Sequence, residues 1–290
     1  MAALSPATTL GPVRLAVADL AGTSAFWQRT VGLRPLDDGD DGVVRLGAGG
    51  DTLVELLGDA SARPRARRSS GLFHVALLVP DRLALARALR RVVASGGRLA
   101  GASDHLVSEA LYLSDPEGNG IELYRDRPRA EWRRDADGEL AMATLPLDLD
   151  DLAGELRTIA DEPDGGMPHG TTVGHVHLQV ADLAPAKAFY VDALGFEVTV
   201  RGYPGALFVA AGGYHHHLGL TTWASAGGPP ADPSARGLRS FSLQLPDAAE
   251  RERVTLRLAE AGYALREERD AAVATDPFGI SVRICATTAD

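Results

Sequence analysis

Between Ser103 and Tyr124 the chain reads SDHLVSEALYLSDPEGNGIELY. This stretch holds a histidine, a tyrosine and a carboxylate at strand-compatible intervals. Side chains alternate along a strand. In ALYLSD, Tyr112 therefore opposes Leu111 and Leu113, and in GIELY, Glu122 opposes Ile121 and Leu123. His105 stands just before the first of these strands. An imidazole, a phenol and a carboxylate gathered in this way suit a metal centre with hydrogen-bonding and proton-transfer groups beside it. A second stretch, GHVHLQV, puts His175, His177 and Gln179 on one face and Val176, Leu178 and Val180 on the other. The apolar face must meet a helix, so the two histidines are expected to look into a cavity. His74 lies in LFHVALLV, and His215, His216 and His217 run together before LGL. If that run is a strand, alternation admits either His216 or its two neighbours to the interior. His169 sits among Gly and Pro and is expected at the surface.

These residues need a scaffold, and the chain repeats one. GPVRLAVADLAGTSAFWQRTVGL from Gly11 and GHVHLQVADLAPAKAFYVDALGF from Gly174 are the same unit. Each is an alternating strand, an Asp at a helix start, a helix with Ala-Phe on its buried face, and a Gly stop. Each is followed by a hairpin around Gly-Gly, with no helix N-terminus to make it a phosphate loop. A second kind of unit begins at LFHVALLVPDRLALARALRRVVASGG and recurs at RSFSLQLPDAAERERVTLRLAEAGY. Both end in two strands split by Asp-Pro. Four modules, each strand, helix and three strands, thus span 10–60, 70–127, 172–224 and 236–285. A connector over 128–171 holds a short helix near LDDLAGELRTIA. The expected fold is α+β, with two domains (10–127 and 172–285). One such module leaves a sheet face uncovered. Paired modules close it into a half-barrel with a ligand-sized cavity, so the chain should form two half-closed paired-module barrels.

Composition narrows the function. With 290 residues and 45% hydrophobic content, two full cores are affordable. The net charge of -10 comes with no basic stripe, which argues against nucleic acid. No apolar run reaches transmembrane length and the start lacks a signal-peptide pattern. A cytoplasmic protein with no membrane partner is therefore expected. Cys285 is the single cysteine, which excludes an intrachain disulfide and a thiolate zinc cluster. The quaternary state stays open, a homodimer being the commonest assembly for soluble chains.

The modular pattern resembles the vicinal oxygen chelate superfamily, which includes glyoxalase I, bleomycin-resistance proteins and extradiol dioxygenases. DHLVSEALYLSDPEGNGIELYRDRP and GGYHHHLGLTTW are most similar to the two-domain, Bacillus-type catechol 2,3-dioxygenases. The first string nearly fits the extradiol signature. Only Ser103 departs from it, at a position that supplies no chemistry. The resemblance implies Fe(II), or another divalent metal in isolated protein, held by two histidines and one carboxylate. It also implies a small aromatic diol and O2 as substrates.

In that superfamily a ligand histidine precedes the helix-start Asp by seven residues. The rule selects Pro12, His74, His175 and Ser240, of which only the histidines bind metal. The carboxylate follows the Asp-Pro turn, which selects Glu122. In the fourth module Val282 or Arg283 falls there. The implied ligands are His74, Glu122 and His175, which requires modules 2 and 3 to face one cavity. The implied catalytic groups are His105 and Tyr112, as substrate hydrogen-bonding residues, and His216 as the acid/base histidine. His177 is expected to line the cavity, with Arg127, Trp132 and Trp223 as further lining candidates. Two other readings stay open. Glu55 with His74 and Glu122 would suit a glyoxalase-like lyase or isomerase. A drug- or metabolite-binding protein would keep the cavity and need no metal.

Overall fold

A computed structural model describes residues 3–37, 41–134, 138–159 and 165–287. The fold is mixed α+β, with two curled sheets of eight and nine strands. Module 1 comprises β1 (Thr9–Val17), α1 (Leu20–Phe26), β2 (Arg34–Pro35), β3 (Val43–Ala48) and β4 (Asp51–Gly58). Module 2 comprises β5 (Gly71–Leu78), α2 (Arg82–Ala94), β6 (Gly101–Asp104), β7 (Ser108–Ser114) and β8 (Gly120–Asp126). The connector adds β9 (Leu145–Pro146) and α3 (Leu149–Gly154), the latter where a short helix was expected. Module 3 comprises β10 (Thr172–Gln179), α4 (Leu183–Lys187), β11 (Glu197–Val200), β12 (Ala206–Ala210) and β13 (Leu218–Thr221). Module 4 comprises β14 (Gly237–Leu245), α5 (Ala248–Glu260), β15 (Leu265–Glu267), β16 (Ala272–Thr275) and β17 (Ser281–Ala286).

The chain divides into two compact units. One holds Val17–Ser61 and His74–Val173; the other holds Met1–Ala16, Ala62–Phe73 and Gly174–Asp290. In the first unit the strands run β4-β3-β2 and β5-β8-β7-β6-β9. In the second they run β10-β13-β12-β11 and β1-β14-β17-β16-β15. Modules 2, 3 and 4 share one plan. The first strand pairs parallel with the last, and the remaining strands follow antiparallel.

Local chemistry sets the element ends. Asp19, Asp81, Asp182 and Asp247 cap the four module helices, accepting from the backbone N–H of Gly22, Ala84, Ala184 and Glu250. Each such cap contributes about 1 kcal/mol. Gly49 and Gly50 turn β3 into β4, and Gly212 and Gly213 follow β12, all four at positive φ that other residues adopt at a cost. The expected Ala-Phe face holds for Phe189, but Phe26 is only half-buried and Trp27 takes the core position. Both helices pass into a π-helical turn, Trp27–Val31 and Ala188–Ala193. A turn of that kind rotates the following residues off the 3.6-residue stripe.

The aromatic residues brought inward here do a further job. Trp27 Nε1 donates to Asp115 Oδ2 at 3.2 Å, and Tyr190 O–H donates to Asp276 Oδ2 at 2.9 Å. Asp115 and Asp276 are the aspartates of the two Asp-Pro turns. Each also accepts from its own turn: Asp115 from Glu117 N and Asn119 N, Asp276 from Phe278 N and Ile280 N. Burial pushes the Asp276 carboxyl up to about 6, against those donors. A carboxyl raised in the fold binds its proton more tightly folded than unfolded. Its contribution is therefore complete below about pH 4 and is lost as pH rises through 6. The span corresponds to about 3 kcal/mol. Asp276→Asn keeps the acceptor for the turn and does not titrate. Measured by urea unfolding, the variant should gain about 3 kcal/mol relative to wild type between pH 4 and pH 7. A constant difference across that window would exclude titration of this carboxyl.

Candidate metal centre

In the first unit, β5, β8 and β7 lie side by side. The register sets Ala76 opposite Glu122, and Glu122 opposite Tyr112. One face of this ribbon carries Val75, Leu77, Leu111, Leu113, Ile121 and Leu123, all buried. The other carries His74, Glu122 and Tyr112 beside a patch of Ala76, Ala110 and Tyr124, with Leu78 packed against it. The small Ala76 and Ala110 leave room above the sheet for the longer polar side chains. His74 is 6% exposed and Glu122 1%. His74 Nε2 lies 2.9 Å from Glu122 Oε2, and the rings of His74 and Tyr112 are 5.6 Å apart. Two ligand atoms each about 2.1 Å from an ion, and about 90° apart, are separated by about 3 Å. The His74–Glu122 spacing matches neighbouring positions around one metal.

His105 and Tyr112 form a second couple. Tyr112 Oη lies 2.6 Å from His105 Nε2, and His105 Nδ1 lies 2.7 Å from the carbonyl oxygen of Ala143. A carbonyl only accepts, so Nδ1 carries the proton of the neutral ring. That leaves Nε2 as acceptor, and Tyr112 donates to it. The tautomer is thus set by the connector, whose β9 pairs with β6 just before His105.

In the second unit, β10 presents His175 and His177, at 2% and 5% exposure. The His216 ring lies 4.2 Å from that of His175, and the His215 ring 6.1 Å. His215 and His216 bring their Nδ1 atoms within 2.8 Å, so one donates and the other accepts. The expected either-or for the histidine run fails, because all three residues are buried. Residues 211–217 are bends and turns with β13 starting only at Leu218, so strand alternation does not govern them. His217 Nδ1 accepts from Ala211 N at 3.1 Å, a structural bond closing this loop. His177 packs against Phe73, Phe208 and Trp223.

In the first unit, His74 and Glu122 form a buried group that can share a metal ion. Glu55 is not in that group. It stands half-exposed on β4, opposite Arg45 of β3. Of the other candidates, Arg127 is tied to Asp104 and Glu109, Trp132 donates to the Arg127 carbonyl, and His169 is exposed.

The glyoxalase/bleomycin resistance protein/dioxygenase superfamily matches over residues 9–123 and 172–284. The chain belongs to this superfamily. It is similar to the catechol-2,3-dioxygenase of Bacillus subtilis (strain 168), with 41% identity over 280 residues and 96% of each chain covered. A solved structure from Bacillus subtilis subsp. subtilis str. 168 shares the fold with a TM-score of 0.64. The two are 13% identical, with 98% of this chain and 86% of that one covered. Glyoxalase I from Zea mays gives a TM-score of 0.59 at 18% identity, covering 97% and 92%. No helix among the described residues is long and apolar enough to cross a membrane.

Two features of the site escape the sequence patterns. The Ala143 carbonyl acts through the backbone, which no motif reports. The segment 62–70, lying between modules, carries arginines that the module repeat leaves out. The metal assignment is directly testable. Glu122→Gln keeps the side chain's shape and removes its charge, and should weaken divalent-metal affinity at least 100-fold, read by competition with a chromogenic chelator (order of magnitude from ligand and outer-shell losses). Unchanged affinity would remove Glu122 from the ligand set.

Proposed function

We propose that this chain is a non-haem extradiol ring-cleaving dioxygenase acting on a catechol-type diol with Fe(II) and O2. The observation that carries the proposal is the buried His74 and Glu122 pair, 2.9 Å apart, and the proposal adds His175 as the third ligand. Two imidazoles and one carboxylate fit the donor set of non-haem iron and leave positions open for diol and O2. Glu122 is 1% exposed beside His74, and a divalent ion there would add positive charge at the carboxylate. The 41% identity to a catechol-2,3-dioxygenase supports the same reading. When bound, the metal would supply Lewis-acid and redox chemistry to the diol and O2.

The chain's own residues would manage protons. Tyr112 donates to His105 Nε2, and a phenol oxygen can accept from a substrate hydroxyl while its own O–H donates. As the diol hydroxyl gives its proton to Tyr112 Oη, the phenol proton moves to His105 Nε2. The imidazolium formed has both N–H groups occupied, one by Tyr112 and one by the Ala143 carbonyl. The pair thereby stores the proton removed when a catechol ionises. His216 would serve as the later acid/base. Its Nδ1 is paired with that of His215 and its ring lies 4.2 Å from that of His175.

The test is anaerobic loading of the full chain with Fe(II), then exposure to catechols and O2 while following ring-cleavage absorbance. Tyr112→Phe and His216→Ala should each lower kcat by about 10² or more, with iron content within about twofold of wild type. Wild-type activity in both variants would remove these roles. An iron-loaded wild type that consumes no catechol would remove the dioxygenase assignment itself.

A further inference from the structure

The segment between modules 1 and 2 reads SARPRARRSS, and it brings three guanidinium groups to one place. Arg65, Arg67 and Arg68 line a cavity of about 660 Å³ together with Gln179 and Trp223. Arg65 Nη1 donates to the Leu72 carbonyl at 2.5 Å, and Nη2 donates to Gln179 Oε1 at 2.9 Å. Arg68 Nη2 donates to the Ala226 carbonyl at 2.9 Å. All three acceptors are neutral. Among the described residues, no carboxylate forms an ion pair with any of these arginines. In a chain of net charge -10, three unpaired guanidinium groups at one mouth are an unusual concentration of positive potential. Arg65 uses only two of its five N–H donors on the protein.

The loop is held rigidly. Arg68 has φ 65, a conformation that costs a non-glycine residue of order 1 kcal/mol. Its carbonyl oxygen occupies space that only a glycine leaves open, since a Cβ on Gly228 would stand 1.9 Å from it. Ser70 N donates to the Pro229 carbonyl and closes the same seam.

Gln179, which lines this cavity, stands on the histidine strand β10. Gln179 is on the same face as His175 and His177 and lies at the far end of the strand, about 13 Å from His175 at strand rise. Between them the His177 ring touches Trp223 at 5.5 Å and Phe208 at 5.8 Å. Phe208 in turn lies 5.0 Å from His216. Packed aromatic side chains thus lie between the arginine cluster and the histidines.

We infer that this mouth recognises an anionic group, and that the aromatic substrate carries one, a carboxylate or a comparable oxyanion, on its ring or side chain. The inference rests on the dioxygenase reading for its diol and on the arginine cavity for its charge. Arg67 and Arg68, both exposed, offer the planar forks that pair with a carboxylate, Arg65 adds charge, and Trp223, 49% exposed, offers a face for the ring or tail.

The test uses the full chain stripped of metal, so that direct coordination cannot contribute. Isothermal titration compares 4-hydroxyphenylacetate with 4-hydroxyphenylacetamide, which differ in charge and are not diols. The acid should bind at least about tenfold more tightly than the amide at low salt. Arg67→Gln combined with Arg68→Gln, both at exposed positions, should reduce that preference to about twofold or less. Equal binding of acid and amide overturns the inference, as does a preference that survives in the double variant. Fe(II)-loaded wild type assayed on catechol separates the two readings. Ring cleavage without an acid preference removes this inference alone. An acid preference without ring cleavage supports it as a binding site and removes the dioxygenase assignment alone.

Discussion

Each unit depends on one buried carboxylate. Asp115 and Asp276 sit at the Asp-Pro turns before the last strands of modules 2 and 4, at 4% and 5% exposure. Each collects backbone N–H groups from its own turn and one donor from a distant helix, Trp27 in one unit and Tyr190 in the other. A buried carboxylate survives only when its acceptors are filled. Its geometry therefore fixes three things together: the turn, the start of the last strand and the seat of the helix. In the first unit that strand is β8, and Glu122 stands on it seven residues after Asp115. The position of the Glu122 carboxylate is set by a hydrogen-bond cluster built on Asp115.

This constraint explains what the sequence could and could not reveal. The modules are legible because strand alternation, helix-start aspartates and Asp-Pro turns are local signals, and they repeat. The faces of His74, Glu122 and Tyr112 follow from alternation and register, which hold wherever a strand is regular. They fail where the backbone leaves the strand. The histidine run shows this, because a sequence of bends turns His215, His216 and His217 all inward. The π-helical turns show it again, moving Trp27 in place of Phe26 into the core. The arginine segment was hidden for another reason. It belongs to no module, and its role comes from nearness to Gln179 and Trp223, more than a hundred residues away.

The connector offers a related lesson. By composition it is a charged spacer, yet its Ala143 carbonyl decides which nitrogen of His105 carries the proton. It is held in place by the β9–β6 pairing and by the Arg82 guanidinium, which bonds Asp151 and Glu155 of the connector as well as Glu109 of β7. Glu109 is 3% exposed and also takes Arg125 and Arg127. A buried carboxylate shared by three guanidinium groups is a rigid joint. It stands three residues before Tyr112, so the frame that anchors the connector also anchors the phenol.

The fourth module shows why only some of the repeated positions could become a site. Its register places Ser240 against Ser281 and Ser242 against Arg283. In module 2 the matching pairs are His74 with Gly120 and Ala76 with Glu122. At the matching positions His74 is thus replaced by Ser240, and Glu122 by Arg283. The register settles the choice between Val282 and Arg283 that the sequence left open. Arg283 is buried and is held by Glu268 and Asp270. One backbone position therefore carries a carboxylate in one copy of the module and a guanidinium in another. A cation bound near Arg283 would meet like charge at close range. The scaffold is the same in both copies, and the side chains at these two positions decide whether it could hold a cation.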